Sequence, residues 1–512
     1  MLSKINFFGS HDAELFTLEI AHSARDAIKH LLDMDEKSPS YGFMQASFDG
    51  RPWTDTMWTR DAGVMLRELA CYGALDEAKA LAACLVRMVT HNAEGFFTFP
   101  EHLDRFKPGS GEELDGTASI VIGMVYLMRR ISKDDTVYRL LDEFLTAEDS
   151  PINFVKYRLK LSPLIAGTGE FGGGCGIEGR FVNTVQNALV RGMLLVYDQF
   201  LRETNRPDES LKEYAEAIRI GMLKYLTDSD GSWIWCVKPD TLKPDLAVLN
   251  HEINKGIAHI NDVTALLSDV EGLDVRDKEL LSRGRSTFDR DMSFPRRKFL
   301  FDTYGMWLQF DEYNKSSLSS PSYACGYAIQ AMALTDRIDW LGKCVKFLAE
   351  YTYNNVTPVT REDKYWFFER MFAPDRLSEI DSWEGCGALN LVNVAEPMKA
   401  ARLIAGIDCA GNGTLALAPR LPWEWDGVEI KDWLIPGKGR VNGKYTRVQA
   451  GKTPVFGAVD STGAGYEFES DVKFDSVRFG PFKCGEIDLF GGCAQKLEQT
   501  DEGLCYITAR PE

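Results

Sequence analysis

The sequence predicts a mainly α fold, a toroid of antiparallel helix pairs over residues 1–407 followed by a small all-β domain over residues 408–512. Three observations predict it. Apolar residues recur at helical spacing in stretches that come in pairs up to about residue 404. The stretches share no sequence with one another, which favours a helical toroid over a solenoid with a fixed consensus. After about Asp408 glycine and β-formers take over, with two-residue alternation.

Taken in order, the first helix falls over residues 13–33, where Leu15, Ile20, Ala24, Ile28 and Leu32 make one stripe, and a linker with Pro39 and Gly42 follows. Helices over 61–72 and 77–89 pair across the turn Gly73-Ala74. Residues 115–130 carry Ile120, Met124 and Leu127; residues 185–200 carry Val185, Leu189, Gly192 and Val196; a helix over 209–225 comes next. Tyr323, Tyr327, Ala331 and Leu334 mark a helix over 320–335, and helices over 339–351 and 388–404 end the series. In the β region, strands are predicted over 414–418, 427–434, 466–469 and 504–508, with alternation at Val472/Phe474 and Val477/Phe479. The loops between helices are rich in aromatics, as in Phe96-Phe97-Thr98-Phe99-Pro100, Trp233-Ile234-Trp235 and Tyr365-Trp366-Phe367-Phe368, or in glycine, as in Gly172-Gly173-Gly174. In a toroid such loops gather at one end and line a pocket.

Bulk properties narrow the function. A chain of 512 residues with 45% hydrophobic content supports one large and one small domain. A formal charge of −18 without a basic cluster argues against nucleic acid or an anionic membrane as partner, so a neutral ligand is expected. The longest apolar run, Ile120 to Met128, is too short to span a bilayer, and Met1 to Asn6 do not read as a secretory signal. Eleven scattered cysteines with no Cys-x-x-Cys pair read as reduced thiols, hence a cytoplasmic protein. With no Gly-x-Gly-x-x-Gly, phosphate-binding Gly-Lys-Ser/Thr loop, His-Glu-x-x-His or Gly-x-Ser-x-Gly motif, neither a cofactor nor a catalytic metal is expected.

The densest chemistry lies at Trp58-Thr59-Arg60-Asp61-Ala62-Gly63, just before an amphipathic helix. An indole there can stack on the C–H face of a sugar while guanidinium and carboxylate satisfy its hydroxyls. The plain alternative is an ion pair at a helix start with Trp58 as packing. This run resembles the Trp-x-Arg-Asp-Ala signature of the six-hairpin, or (α/α)6, glycosidases, most closely the glucoamylase-type enzymes of glycoside hydrolase family 15. The resemblance implies a toroid followed by a C-terminal β-sandwich-like domain, into which Leu415-Ala416-Leu417-Ala418-Pro419 resembles the lead. It also implies a carbohydrate-active enzyme whose Asp61 binds hydroxyls of the sugar being cleaved.

Glycoside hydrolysis uses two carboxyl groups flanking the scissile bond. Glu178, in the glycine-rich stretch Gly172 to Gly179, precedes Arg180, Thr184 and Ala188 in an order that resembles the family 15 general-acid segment, with Ile177 where that family has Trp. Glu170 is a lesser candidate, and a helix-entry carboxylate is the structural alternative. Glu369 sits behind four consecutive aromatics and resembles the base segment of families 37 and 63, whereas Leu377-Ser378-Glu379 resembles the glucoamylase base motif. Glu384 follows them as a candidate. Asp115, Trp366, Trp53 and Trp235 are further candidates for sugar contact, as are His251 and Asn254-Lys255-Gly256. The implied activity is an inverting glycoside hydrolase that cleaves a terminal sugar from an oligosaccharide or glycoside. A phosphorylase of the same fold and a non-catalytic glycan-binding protein are the rivals. A histidine-dependent sugar epimerase is disfavoured by seven histidines, none in an aromatic, glutamate-rich setting.

Overall fold

The computed structural model describes residues 2–48, 55–168, 180–234, 236–243, 277–307, 318–319, 321–354, 371–372, 389–409, 415–449, 451–483, 485–500 and 503–512. Its helices are α1 (His11–Leu31), α2 (Thr59–Cys71), α3 (Leu75–Met88), α4 (Leu114–Met128), α5 (Thr136–Thr146), α6 (Pro151–Leu159), α7 (Thr184–Glu203) and α8 (Glu209–Tyr225). After these come α9 (Lys278–Asp291), α10 (Pro295–Tyr304), α11 (Pro321–Leu334), α12 (Ile338–Asn354) and α13 (Val392–Ala405). Side-chain caps start many of them: Ser10 accepts from Ala13 N, Asp135 from Val137 N, Ser150 from Asn153 N and Asp208 from Ser210 N. The sequence reading did not mark α5, α6, α9 and α10. Helices α5, α6 and α10 are only 9 to 11 residues long, so their stripes have few turns to stand out by period, while α9 is mostly charged and polar.

Burial sorts the helices into two kinds. Every residue of α2, α4 and α13 is buried, whereas α1, α3 and α8 bury one stripe. A helix buried all round needs neighbours on every side. Accordingly α11, α13, α2, α4 and α7 lie side by side in an arc, with α12, α1, α3 and α8 packed against its outside.

Glycines set the closest approach in that arc. A Cβ on Gly63 would lie 2.5 Å from the Ile120 nitrogen, and one on Gly116 would lie 2.2 Å from Thr59 Oγ1. On Gly123 it would stand 2.8 Å from the Gly63 carbonyl oxygen. Backbone therefore meets backbone between α2 and α4. Thr59 lies beside Gly116 and Gly63 beside Ser119, Ile120 and Gly123, so the two helices run in the same direction and their N termini meet at one end.

The strands are β1 (Lys4–Phe8), β2 (Thr56–Trp58), β3 (His102–Asp104), β4 (Ala166–Gly167), β5 (Phe181–Asn183), β6 (Cys236–Val237), β7 (Leu318–Ser319), β8 (Met371–Phe372), β9 (Ile407–Cys409) and β10 (Leu415–Leu417). In the C-terminal region follow β11 (Gly427–Ile435), β12 (Gly439–Val448), β13 (Gly457–Asp460), β14 (Gly465–Ser470), β15 (Ser476–Lys483), β16 (Ile487–Phe490), β17 (Gly492–Gln499) and β18 (Leu504–Pro511). One sheet has the order β1-β11-β12-β14-β13-β16 and another β17-β18-β15-β10-β9. Aromatic pairs join them: Tyr445 stacks on Phe479 at 5.9 Å, and Tyr466 meets Phe482 edge-on at 5.4 Å. Phe474 lies outside any strand and instead buries its ring against Phe468 at 4.8 Å, so the Val472/Phe474 alternation marks a packed turn.

Among the contacts that fasten these sheets to the helices, two join distant parts of the chain. The N-terminal strand β1, which the sequence reading did not mark, pairs antiparallel with β11 from Lys4↔Lys431 to Phe8↔Gly427. Phe7 then packs on Trp425 at 4.7 Å and on Phe16 of α1 at 5.9 Å. Elsewhere Arg478 of β15 lies 3.3 Å from the carboxylate of Asp336, between α11 and α12, with its guanidinium over the Tyr506 ring.

Of the described aromatic loop residues, some are buried in the core and others lie half-buried against neighbouring rings. Phe97 stacks on His91 at 4.1 Å, Phe96 on Tyr157 at 5.6 Å, and Phe99 and Trp233 are fully buried. Phe97 and Phe99 pack on Phe144 of α5 and Phe96 on Phe154 of α6, while Trp233 is held against α9, where its backbone N–H donates to Thr287.

Candidate functional site

The site grows out of the shared N-terminal end of α2, α4 and α7. Strand β2 delivers Trp58 to the N-cap of α2, where no side chain caps the helix. Thr59 takes over the fastening: its hydroxyl donates to the Pro100 carbonyl at 2.6 Å, and its N–H to that of Glu101 at 3.1 Å. Arg60 and Asp61 are thereby fixed in the first helical turn, and the Arg60 Nε lies 3.3 Å from Asp61 Oδ1.

Across the glycine contact stands the first turn of α4. Asp115 Oδ2 lies 3.6 Å from Arg60 Nη1, while its Oδ1 accepts a 2.9 Å hydrogen bond from Gln186 Nε2 in the first turn of α7. The same Gln186 nitrogen donates to the Thr168 carbonyl at 3.0 Å. A Cβ on Gly167 would come 2.2 Å from Gln186 Oε1, so only glycine lets β4 pass this close. Three helix N termini thus surround two carboxylates, where their dipoles favour negative charge. Asp115 and Gln186 are sealed; Asp61 is 4% and Arg60 8% exposed.

The flank of the site is ionic. Arg180 pairs with Glu112, which also lies 3.3 Å from Arg158, and Arg158 reaches Glu94 at 2.9 Å. Trp58, half-buried, has its ring 5.8 Å from the exposed His102.

A second charged cluster lies further along α2. Arg402 of α13 donates to both oxygens of Glu68 at 3.0 and 2.9 Å, and Arg67 Nε reaches Glu68 at 3.2 Å. Burial alone raises the Glu68 carboxyl, but Arg402, Arg67 and Lys399 outweigh it and leave its pKa below the ordinary value. Tyr72 donates to the Met398 carbonyl at 2.9 Å, and burial, with the Glu68 charge, pushes its phenol well above the usual value.

Of the expected site residues, Trp58, Arg60, Asp61 and Asp115 come together at this end of the helices. Glu178, Glu369, Glu379 and Trp366 lie outside the described residues, as do Glu170, Glu384, Trp53, Trp235, His251 and Asn254 to Gly256. Sequence reasoning missed Gln186 and Glu112. Gln186 stands three residues after the N-cap Asn183, the spacing of a capping box, which would have been read as a cap. Its side chain turns to Asp115 instead.

Among the described residues no three His, Cys, Asp or Glu side chains are grouped to hold a metal, and no helix is long and apolar enough to cross a membrane. Of the described cysteines, Cys71, Cys84, Cys236, Cys325, Cys344, Cys493 and Cys505 form no disulfide.

No family model matches the chain, and no curated protein matches its sequence. Solved structures do match. An α-L-rhamnosidase from Streptomyces avermitilis, in complex with L-rhamnose, aligns over 100% of this chain and 41% of its own, at 10% identity and a TM-score of 0.55. The chain therefore spans well under half the length of that relative. A putative glucoamylase from Bacteroides uniformis aligns over 77% of this chain and 92% of its own, at 11% identity and a TM-score of 0.46. An α-amylase from Clostridium perfringens aligns over 75% and 97%, at 10% identity and 0.48. The likeness is one of fold alone: the chain shares the fold of the rhamnosidase structure, in keeping with the glycosidase-type fold that the resemblance implied.

Proposed function

We propose that this chain is a glycoside hydrolase that removes a terminal sugar from an oligosaccharide or glycoside with inversion at the anomeric carbon. The observation that carries the reading is the convergence of Arg60, Asp61, Asp115 and Gln186 at three adjoining helix N termini, in a fold shared with a rhamnosidase. Carboxylates accept from sugar hydroxyls and a guanidinium donates to them, so the cluster suits a polyhydroxylated, uncharged ligand. Trp58 and Trp366 supply stacking faces. Glu178 protonates the glycosidic oxygen, and Glu369, or in its place Glu379, takes a proton from the attacking water. Inversion calls for carboxyl groups roughly 6.5–9.5 Å apart.

In this reading the arc of buried helices closes into an (α/α)6 ring within residues 1–407, and residues 408–512 form the β-sandwich-like domain that β1 completes. Scattered cysteines without a Cys-x-x-Cys pair favour a cytoplasmic setting and a substrate found there. The test is a panel of 4-nitrophenyl glycosides, the α-L-rhamnoside included, assayed with and without phosphate, using wild type and Glu178→Gln. Turnover that Glu178→Gln abolishes, with an inverted product anomer by NMR, is expected. Turnover only with phosphate makes the protein a phosphorylase, and binding without any turnover makes it a glycan-binding protein.

A further inference from the structure

The stretch Glu112-Glu113-Leu114-Asp115 at the start of α4 carries three carboxylates, and each reaches different partners. Asp115 meets Arg60 and Gln186, and Glu113 accepts from the Thr59 hydroxyl at 3.3 Å. Glu112 instead reaches Arg158 of α6 and Arg180, the residue just before β5. Arg158 is itself held: it pairs with Glu94 at 2.9 Å, and its guanidinium lies 5.4 Å from the Phe154 ring. Glu94 sits in a turn that Asn92 closes by accepting from the Glu94 and Phe96 N–H groups at 2.9 and 3.1 Å. Glu94, Arg158, Glu112 and Arg180 thus form one chain of alternating charge.

The place of Arg180 in the fold shows what this chain acts on. The backbone after Arg180 is fixed without it. Phe181, Val182 and Asn183 are held in register by β4 on one side and β6 on the other, and Asn183 accepts from the Val185 and Gln186 N–H groups to cap α7. An ion pair whose arginine is 43% exposed adds little to folding stability. What the pair constrains is the entry into β5, and Arg180 stands two residues after Glu178 in sequence. Two residues of chain span at most about 7 Å, so fixing Arg180 bounds the place of Glu178 as well.

We infer that Glu112 is a positioning residue: by holding Arg180 it sets where Glu178 stands relative to Asp61 and Asp115. A general acid works only within hydrogen-bond reach of the oxygen it protonates, so its placement acts on the chemical step and hardly on ground-state binding. The inference rests on the glycosidase reading, in which Glu178 is the acid, and adds to it the group that orients that acid.

The test uses the 4-nitrophenyl glycoside that the panel identifies, with Glu112→Gln, Glu112→Asp, Arg180→Gln and the double variant Glu112→Gln/Arg180→Gln. Each single glutamine variant is expected to lower kcat roughly tenfold, since a misplacement of about 1 Å at the reacting groups costs up to about 100-fold. KM stays within about twofold of wild type, and the urea midpoint does not move. The double variant loses about as much as either single one, because both break the same contact, and Glu112→Asp, which keeps the charge, recovers part of the rate. Losses that add in the double variant, a loss in KM alone, or an unchanged kcat overturn the inference while the hydrolase stands. If Glu178→Gln keeps its turnover, or wild type has none, the acid assignment fails separately, and amide hydrogen exchange in wild type and Glu112→Gln then tests the anchor. Faster exchange of the variant in peptides covering residues 172–180 supports it; equal exchange overturns it.

Discussion

Helix α2 carries two buried charge clusters along one rod, and they are built differently. At Glu68 both carboxylate oxygens take hydrogen bonds from Arg402 at 2.9 and 3.0 Å, and the partners are sealed from solvent. At the N-terminal end, Arg60 meets Asp61 at 3.3 Å and Asp115 at 3.6 Å, with Arg60 and Asp61 still slightly accessible. The first geometry uses the guanidinium fork to bind two helices together. The second leaves its groups near one another without the tight fork contact, at the adjoining N-terminal ends of α2 and α4. The difference teaches that burial of charge does not by itself mark a site. The pairing geometry and the place at the helix ends set the two clusters apart, and under the proposed function the N-terminal one is the binding cluster.

The largest effect expected from breaking this contrast is on stability. Glu68→Gln leaves Arg402 and Arg67 buried without their carboxylate, a change that costs about 3–5 kcal/mol, read as the shift in urea unfolding. Activity per folded molecule stays near wild type. Asp61→Asn reverses the pattern: kcat/KM falls about 100-fold, or about 2.7 kcal/mol, while the unfolding midpoint moves little. A variant at Asp61 that unfolds as readily as Glu68→Gln, with activity intact once folded, would make both clusters structural.

A sharper test lies one step behind the proposed sugar contacts. Gln186→Leu removes the hydrogen bond that orients Asp115 and leaves a buried carboxylate oxygen with one donor fewer, which costs roughly 1–3 kcal/mol. If Asp115 works at the site, kcat/KM falls about tenfold, and Gln186→Asn, too short to bridge, resembles the leucine variant. If Asp115 only caps α4, the cost is confined to unfolding.

How far the sequence could reach follows from where each signal resides. The pairing of α2 with α3 across Gly73, and the stripes of α1 and α7, are local, and the structure places them within a few residues of the expected bounds. Arg60 and Asp61 were legible because aromatic, cation and carboxylate fall within four residues. Asp115 was legible only by resemblance. Gln186 was not, since its role depends on α7 lying beside α4, and its position three residues after Asn183 fits an ordinary cap. Strand β1 escaped because its partner β11 is more than four hundred residues away, and five residues carry too little alternation to show a sheet. The aromatic loops were expected to gather at one end and line a pocket, and of their residues Phe99 and Trp233 are instead fully buried.

The smallest effect is one of pH. Because the folded-state pKa of Glu68 is held below its ordinary value of 4.5, the unfolded chain takes up a proton there before the folded one does. The stability that ionised Glu68 supplies is therefore complete above about pH 4.5 and is lost as pH falls through the lower folded value. The gap in unfolding free energy between wild type and Glu68→Gln should stay level from pH 7 to pH 5 and narrow from pH 4 to pH 3. Urea midpoints at those four pH values measure it. A gap that stays level to pH 3 would mean that Arg402 and Arg67 do not hold this carboxylate ionised. The sealed cluster would then lose the property that sets it apart from the one at Asp61.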